Sequence, residues 1–154
     1  MWAAILLLAA TLAYAQQPKP CTSPAQWEGR FYRTDYSKNF TQYARISYDE
    51  TNKRVRETEE IETSTERDYY DVLRLFNENK EYRLNLRDRK CNVTALTRKW
   101  YPFGIPDEGN SPDCVPVTFG FRSNQTGFVH TTFYDVTNGI VNPTVFNPPS
   151  ECQG

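Results

Sequence analysis

The sequence predicts a single mainly β domain of antiparallel strands with little room for helix. Three observations carry that reading. Apolar and polar residues alternate with period two through most of the chain, as strands with one buried face require. Ten Tyr and nine Phe favour pleated, half-buried surfaces over helices. Short clusters of Asn, Asp, Gly and Pro separate the alternating runs at hairpin spacing.

The first alternating run is Trp27, Gly29 and Phe31 against Glu28, Arg30 and Tyr32. The second is Ala44, Ile46 and Tyr48 against Tyr43, Arg45 and Ser47. Asp49-Glu50-Thr51-Asn52 then reads as a turn, and Val55 opens a charged strand ending near Ile61. Arg67 to Phe76 is apolar on both faces, which suits a central strand. Asn77 to Lys80 links it to Tyr82, Leu84 and Leu86, a clear alternator with Arg83, Asn85 and Arg87. A short strand follows beside Cys91, from Val93 to Thr97. The pattern stops between Lys99 and Pro112, a stretch rich in aromatics and proline. It resumes with Val115, Val117, Phe119 and Phe121, and then with Phe128 to Val136. The tail to Cys152 is punctuated by Pro143, Pro148 and Pro149.

The N-terminus predicts a destination. Ala3 to Ala13 is uncharged and apolar except for Thr11, too short for the roughly 20 apolar residues of a membrane span. Ala13-Tyr14-Ala15 supplies a small-x-small cleavage pattern, so residues 1–15 read as a signal peptide and 16–154 as one domain. No later segment has membrane-spanning length, and the expected product is soluble, secreted and extracellular. Four cysteines, Cys21, Cys91, Cys114 and Cys152, form an even set without a C-x-x-C motif. In a secreted chain they read as two disulfides, with three pairings allowed. Asn39, Asn92 and Asn124 open N-x-T sequons; Asn142 does not, because proline follows it.

Composition excludes some function classes. A formal net charge of −1 argues against a nucleic-acid binder, which needs a basic field. His130 is the only histidine, and no titratable partner stands at a local spacing, so no catalytic residues are assigned and an enzyme is not expected. The acidic stretch from Glu57 to Glu62 offers oxygen ligands of the kind Ca²⁺ prefers, although no EF-hand loop is present. Flanking Lys53, Arg54 and Arg56 suit a solvated edge instead; no cofactor is required, and Ca²⁺ is the one ion invited. The aromatic and apolar positions Trp27, Phe31, Tyr82, Leu84, Leu86, Phe119, Phe121 and Phe133 make either a filled sandwich core or the wall of a hydrophobic pocket. Periodicity alone does not separate the two.

Several segments resemble one family. Pro20-Cys21 with Gln26-Trp27-Glu28-Gly29-Arg30 resembles the opening of the ependymin-related proteins. Ile46-Ser47-Tyr48-Asp49 and Asn52-Lys53-Arg54-Val55-Arg56 are similar to that family's second and third strands. Phe133-Tyr134-Asp135-Val136, Gly139-Ile140 and the run from Pro143 to Cys152 are the most specific match. The resemblance implies a secreted, non-enzymatic glycoprotein, extracellular or in the lysosomal lumen. Its two antiparallel sheets would form a half-open β-barrel with a hydrophobic pocket, as in bacterial lipoprotein carriers. It implies a lipid or other hydrophobic small molecule as ligand, calcium binding, homodimerisation and cell–matrix adhesion through extracellular matrix components. It pairs Cys21 with Cys114 and Cys91 with Cys152. The chain departs from the family between Ile105-Pro106 and Cys114-Val115-Pro116, where about two further strands are usual and only a short polar loop stands here.

Overall fold

A computed structural model describes residues 23–102, 118–123 and 127–153 of the chain. Within them are eight strands: β1 (Gln26–Asp35), β2 (Phe40–Asp49), β3 (Arg54–Glu62), β4 (Arg67–Leu75), β5 (Lys80–Asn85), β6 (Cys91–Ala95), β7 (Thr118–Ser123) and β8 (Gly127–Asn138). Regular helix among the described residues is limited to short 3₁₀ turns at Phe76–Glu78, Pro143–Phe146 and Ser150–Cys152. The signal-peptide segment, Cys21, Cys114, Asn124 and the shortened Ile105–Cys114 region lie outside the described residues, as does the side chain of Phe119.

The strands join into one antiparallel sheet in the order β6-β5-β4-β3-β2-β1-β8-β7. The mainly β, antiparallel class stands, but the two expected sheets are one continuous sheet, not closed into a barrel. The reason lies in β1. It pairs with β2 along its whole length and with β8 on its other edge, so the strand that would divide two sheets belongs to both halves. Where β8 must bend, the ladder bulges instead of breaking. The register shifts between Glu28 and Arg30, and Asp135 takes a left-handed φ of 53°. Such a bulge bends a strand and increases its twist. Gly29 sits opposite, where a Cβ would come within 3.1 Å of Val136 Cγ2.

Register assigns each residue to a face. Trp27, Tyr48 and Val55 stand in one cross-strand row, and Phe31, Phe133 and Ala44 in another, with the Gly29–Ile46 row between them. With Ile46 they form a buried cluster on what we term the pocket face. On the opposite, strap face, Leu73 and Tyr82 are buried beneath Phe146, with Ile140 and Val145 beside them. β4 is buried on both sides, Val72 toward one face and Leu73 toward the other, which explains its continuous apolar run.

The strap is the tail after β8. It crosses six strand spacings, roughly 29 Å at ~4.8 Å each, to reach β6. Cys152 is disulfide-bonded there to Cys91. Arg56 clamps its middle: Nη1 donates to the carbonyls of Val145 (2.6 Å) and Asn147 (3.1 Å), while Nε donates to Asp71 Oδ1 at 2.7 Å. The Arg54 guanidinium lies 4.2 Å over the Phe146 ring. Near its start, the Val141 amide donates to Glu28 Oε2 at 3.3 Å.

Candidate functional site

The pocket face holds a cavity of about 320 Å³. Its floor is β1, β2, β3, β4 and β8, and residues 98–102, which follow edge strand β6, form its roof. Trp100 makes that return possible. Its indole stacks on Tyr48 at 5.6 Å and meets Phe76 edge-on at 5.0 Å. Beneath, Trp27 contacts Tyr48 and Phe133, and Phe133 contacts Phe31, with centroids 5.4 to 5.9 Å apart. One wall is therefore aromatic and aliphatic: Phe31, Ile46, Tyr48, Phe76, Trp100 and Phe133.

The other wall is charged. It contains Arg33, Gln42, Glu57, Glu59, Arg74 and Arg98. Arg74 Nη1 donates to Glu57 at 2.5 Å and its Nε to Glu81 at 2.8 Å. Glu59 accepts from the Gln42 amide and from Arg83 Nη2, the latter at 3.3 Å. Burial pushes the Glu59 carboxyl up from its ordinary value, and neighbouring Glu57 adds to the push. Burial likewise pushes the Arg33 and Arg98 guanidinium groups down. At Arg74, burial opposes the charge, but Glu57 and Glu81 outweigh it and the pKa is raised.

Of the eight residues expected to line a pocket, the seven whose side chains are described do not converge. Phe31 and Phe133 line the cavity, and Trp27 is packed behind them. Tyr82 is buried on the strap face; Leu84 is also buried there, in register with Asp71 and Cys91. Leu86 is half-buried in the β5–β6 turn, and Phe121 is exposed on β7. The alternation of Tyr82 and Leu84 identified an inward side correctly but could not say which of two covered faces it was. Arg33, Gln42, Glu57, Glu59 and Arg74 are not among the expected pocket residues, although parity marks two of them: Arg33 shares its phase with Trp27 and Phe31, and Gln42 with Ala44 and Ile46.

The acidic stretch is split by its own strand. Glu57 and Glu59 face the pocket, while Glu60 pairs with Arg67 on the strap side. No group of three His, Cys, Asp or Glu side chains fit to hold a metal ion occurs among the described residues. His130 has two threonine hydroxyls within hydrogen-bonding distance, Thr132 at 3.1 Å and Thr118 at 3.4 Å, and stacks on Phe128. Asn39, at the β1–β2 turn, and Asn92, on edge strand β6, are both exposed, as glycan attachment requires. No helix among the described residues is long and apolar enough to cross a membrane.

Residues 109–152 match the family model described as Ependymin. The chain is 28% identical to mammalian ependymin-related protein 1 of Mus musculus over 173 residues, covering 88% of this chain and 77% of the relative. The corresponding protein of Rattus norvegicus is 27% identical over the same span. That alignment is longer than the 154-residue chain, so the relatives carry residues this chain lacks.

Proposed function

We propose that this chain, which is similar to the ependymin family model over residues 109–152 and to mammalian ependymin-related protein 1, is a secreted, glycosylated, non-enzymatic carrier of a lipid or other hydrophobic small molecule. One observation carries the reading: a cavity of about 320 Å³ with an aromatic wall, roofed by a short segment instead of being filled by core side chains. Ligand pockets of this construction, mostly apolar with a few placed polar groups, begin at roughly 300 Å³. The ligand lies on one face of a continuous sheet, under Trp100, and not between two sheets. Residues missing relative to the longer family members belong, in this reading, to the region between Ile105 and Cys114.

Trp100 provides the test. Replacing it with alanine removes the roof's anchor on Tyr48 and Phe76. A fluorescent fatty-acid probe is expected to bind the parent chain and to lose about tenfold in affinity to Trp100→Ala, while the folded state loses only about 1 kcal/mol of ring-stacking energy. A parent chain that neither binds the probe nor yields lipid on native mass spectrometry rejects the carrier reading.

A matrix-binding role is favoured by a different observation, the exposed tyrosines Tyr43, Tyr69 and Tyr134 on the part of the strap face the tail leaves open. Tyrosine-rich surfaces of this kind are enriched at protein interfaces. Calcium does not enter that reading through Glu57 to Glu62, whose carboxylates are divided between faces and held by arginines.

A further inference from the structure

The two described sequons stand in different surroundings. Asn39 ends a four-residue loop, Tyr36 to Asn39, between Asp35 and Phe40, which pair across the β1–β2 hairpin. The loop is fixed from within. Asp35 Oδ1 accepts from the Ser37 amide at 3.0 Å and from the Ser37 hydroxyl at 2.5 Å, and the Lys38 amide donates to the Asp35 carbonyl at 3.2 Å. Asn39 takes a left-handed φ of 47°, a conformation its short polar side chain tolerates. On the strap face this end of the sheet forms a shallow hollow of about 360 Å³, lined by Tyr32, Tyr36, Asn39 and Thr41 among others. Tyr32 is braced by Tyr43, their ring centroids 4.8 Å apart. Tyr36 is 73% exposed, and its ring meets no other ring among the described residues. A single exposed tyrosine is ordinary. One that stands three residues before a glycan acceptor, on the same hollow, has a partner that the modification itself supplies.

We propose that the Asn39 glycan docks on its own protein, its first N-acetylglucosamine lying against the Tyr36 ring over this hollow and bracing the β1–β2 hairpin. This rests on the glycosylated reading above and is independent of any cargo. A pyranose presents a face of C–H bonds that matches the electron-rich face of an aromatic ring, while its hydroxyls stay in water. The covalent tether makes docking intramolecular, so a contact too weak to hold a free sugar is populated. The preformed turn lowers the ordering cost on the protein side. Asn92 supplies the contrast. It stands on edge strand β6 in register with Arg83, and no aromatic residue lies between β5 and Asn92. A glycan there is a solvated appendage, whereas the glycan on Asn39 is part of the fold.

A double-mutant cycle on the full chain, secreted from animal cells, separates docking from mere attachment. Asn39→Asp removes the acceptor and keeps a residue that tolerates the left-handed turn. Tyr36→Ala removes the ring. Peptide mass spectrometry should find a glycan on Asn39 in the parent and in Tyr36→Ala. With the glycan present, Tyr36→Ala is expected to lower the folding equilibrium constant about fivefold; in the Asn39→Asp background it should change it by less than about twofold. Trimming every glycan to a single N-acetylglucosamine should preserve the parent's stability, because the first sugar makes the contact. In that trimmed form, NMR should show ring protons of the Asn39 sugar shifted upfield by the tyrosine, and Tyr36→Ala should abolish the shift. Asn92→Gln should show no coupling to Tyr36→Ala. An equal cost of Tyr36→Ala with and without the glycan overturns the docking and leaves the glycosylated reading in place, as do sugar protons that ignore Tyr36→Ala. An Asn39 found bare overturns both.

Discussion

The two faces of this sheet are made by the same alternation and closed in opposite ways. The strap face is covered by a tail that the fold holds at three points: a hydrogen bond to Glu28, the Arg56 clamp and the Cys91–Cys152 bridge. Its apolar residues, Leu73, Tyr82 and Phe146, are packed against one another. The pocket face is covered by residues 98–102, attached chiefly through one indole, and a cavity lies beneath them. A covalently tied cover supplies a core, whereas a cover resting on stacking contacts leaves room for a guest. The contrast locates stability on one side of the molecule and ligand exchange on the other.

The largest test of that contrast is the bridge. Cys152→Ser opens a link between residues 61 apart, worth about 4 kcal/mol in the chain-entropy account. Chemical denaturation should show that loss, with strap-face amides near Leu73 and Tyr82 losing hydrogen-exchange protection first. Protection on the pocket face that collapses equally would mean that the two covers are a single cooperative unit.

A smaller test uses acid. Asp49 is fully buried at the β2–β3 turn. Burial pushes its carboxyl up, but hydrogen bonds from the Asn52 and Gln26 side chains, the Arg54 guanidinium and the Asn52 amide pull it down to about 2. A carboxyl whose folded pKa lies below its unfolded value stabilises the fold above the unfolded value and loses that contribution as pH falls through the folded one. The chain should therefore lose on the order of 2 kcal/mol between about pH 4 and pH 2, and Asp49→Asn should remove this part of the acid dependence. On the pocket face the sign reverses. Glu59 is raised by burial and by Glu57, so its ionised form costs stability as pH rises through its folded pKa. Glu59→Gln should keep a hydrogen bond to Arg83 and change stability near pH 7 by less than about 1 kcal/mol, in the stabilising direction. Thermal melts of the two variants across pH should diverge, one flattening the acid limb and the other the neutral limb. Parallel curves would contradict the opposite environments assigned to the two carboxyls.

Much of this was legible residue by residue. Trp27, Phe31, Ala44, Ile46 and Tyr48 declare their strands through parity, and Asp49 to Asn52 declare the turn between β2 and β3. Arg67–Leu75, apolar on both sides, reads as a strand covered twice, which β4 is. Parity is a local property of the backbone, because successive side chains must point to opposite faces. It says nothing about which face a later strand presents to an earlier one. For that reason Tyr82 and Leu84 were grouped with Phe31 and Phe133, although the sheet places them on opposite sides.

By itself, the sequence determined the antiparallel strands, their turns and the residues each strand turns inward. Alternation, turn chemistry and aromatic content act over a few residues at a time, so these features need no distant contact. Only the tertiary structure decided that the strands form one sheet, that the tail crosses one face to reach β6, and that residues 98–102 roof the other. Those outcomes depend on pairings such as β1 with β8, Arg56 with the Val145 carbonyl and Trp100 with Tyr48. Each joins residues dozens of positions apart, and each is favourable only once the chain between them has already been folded into place.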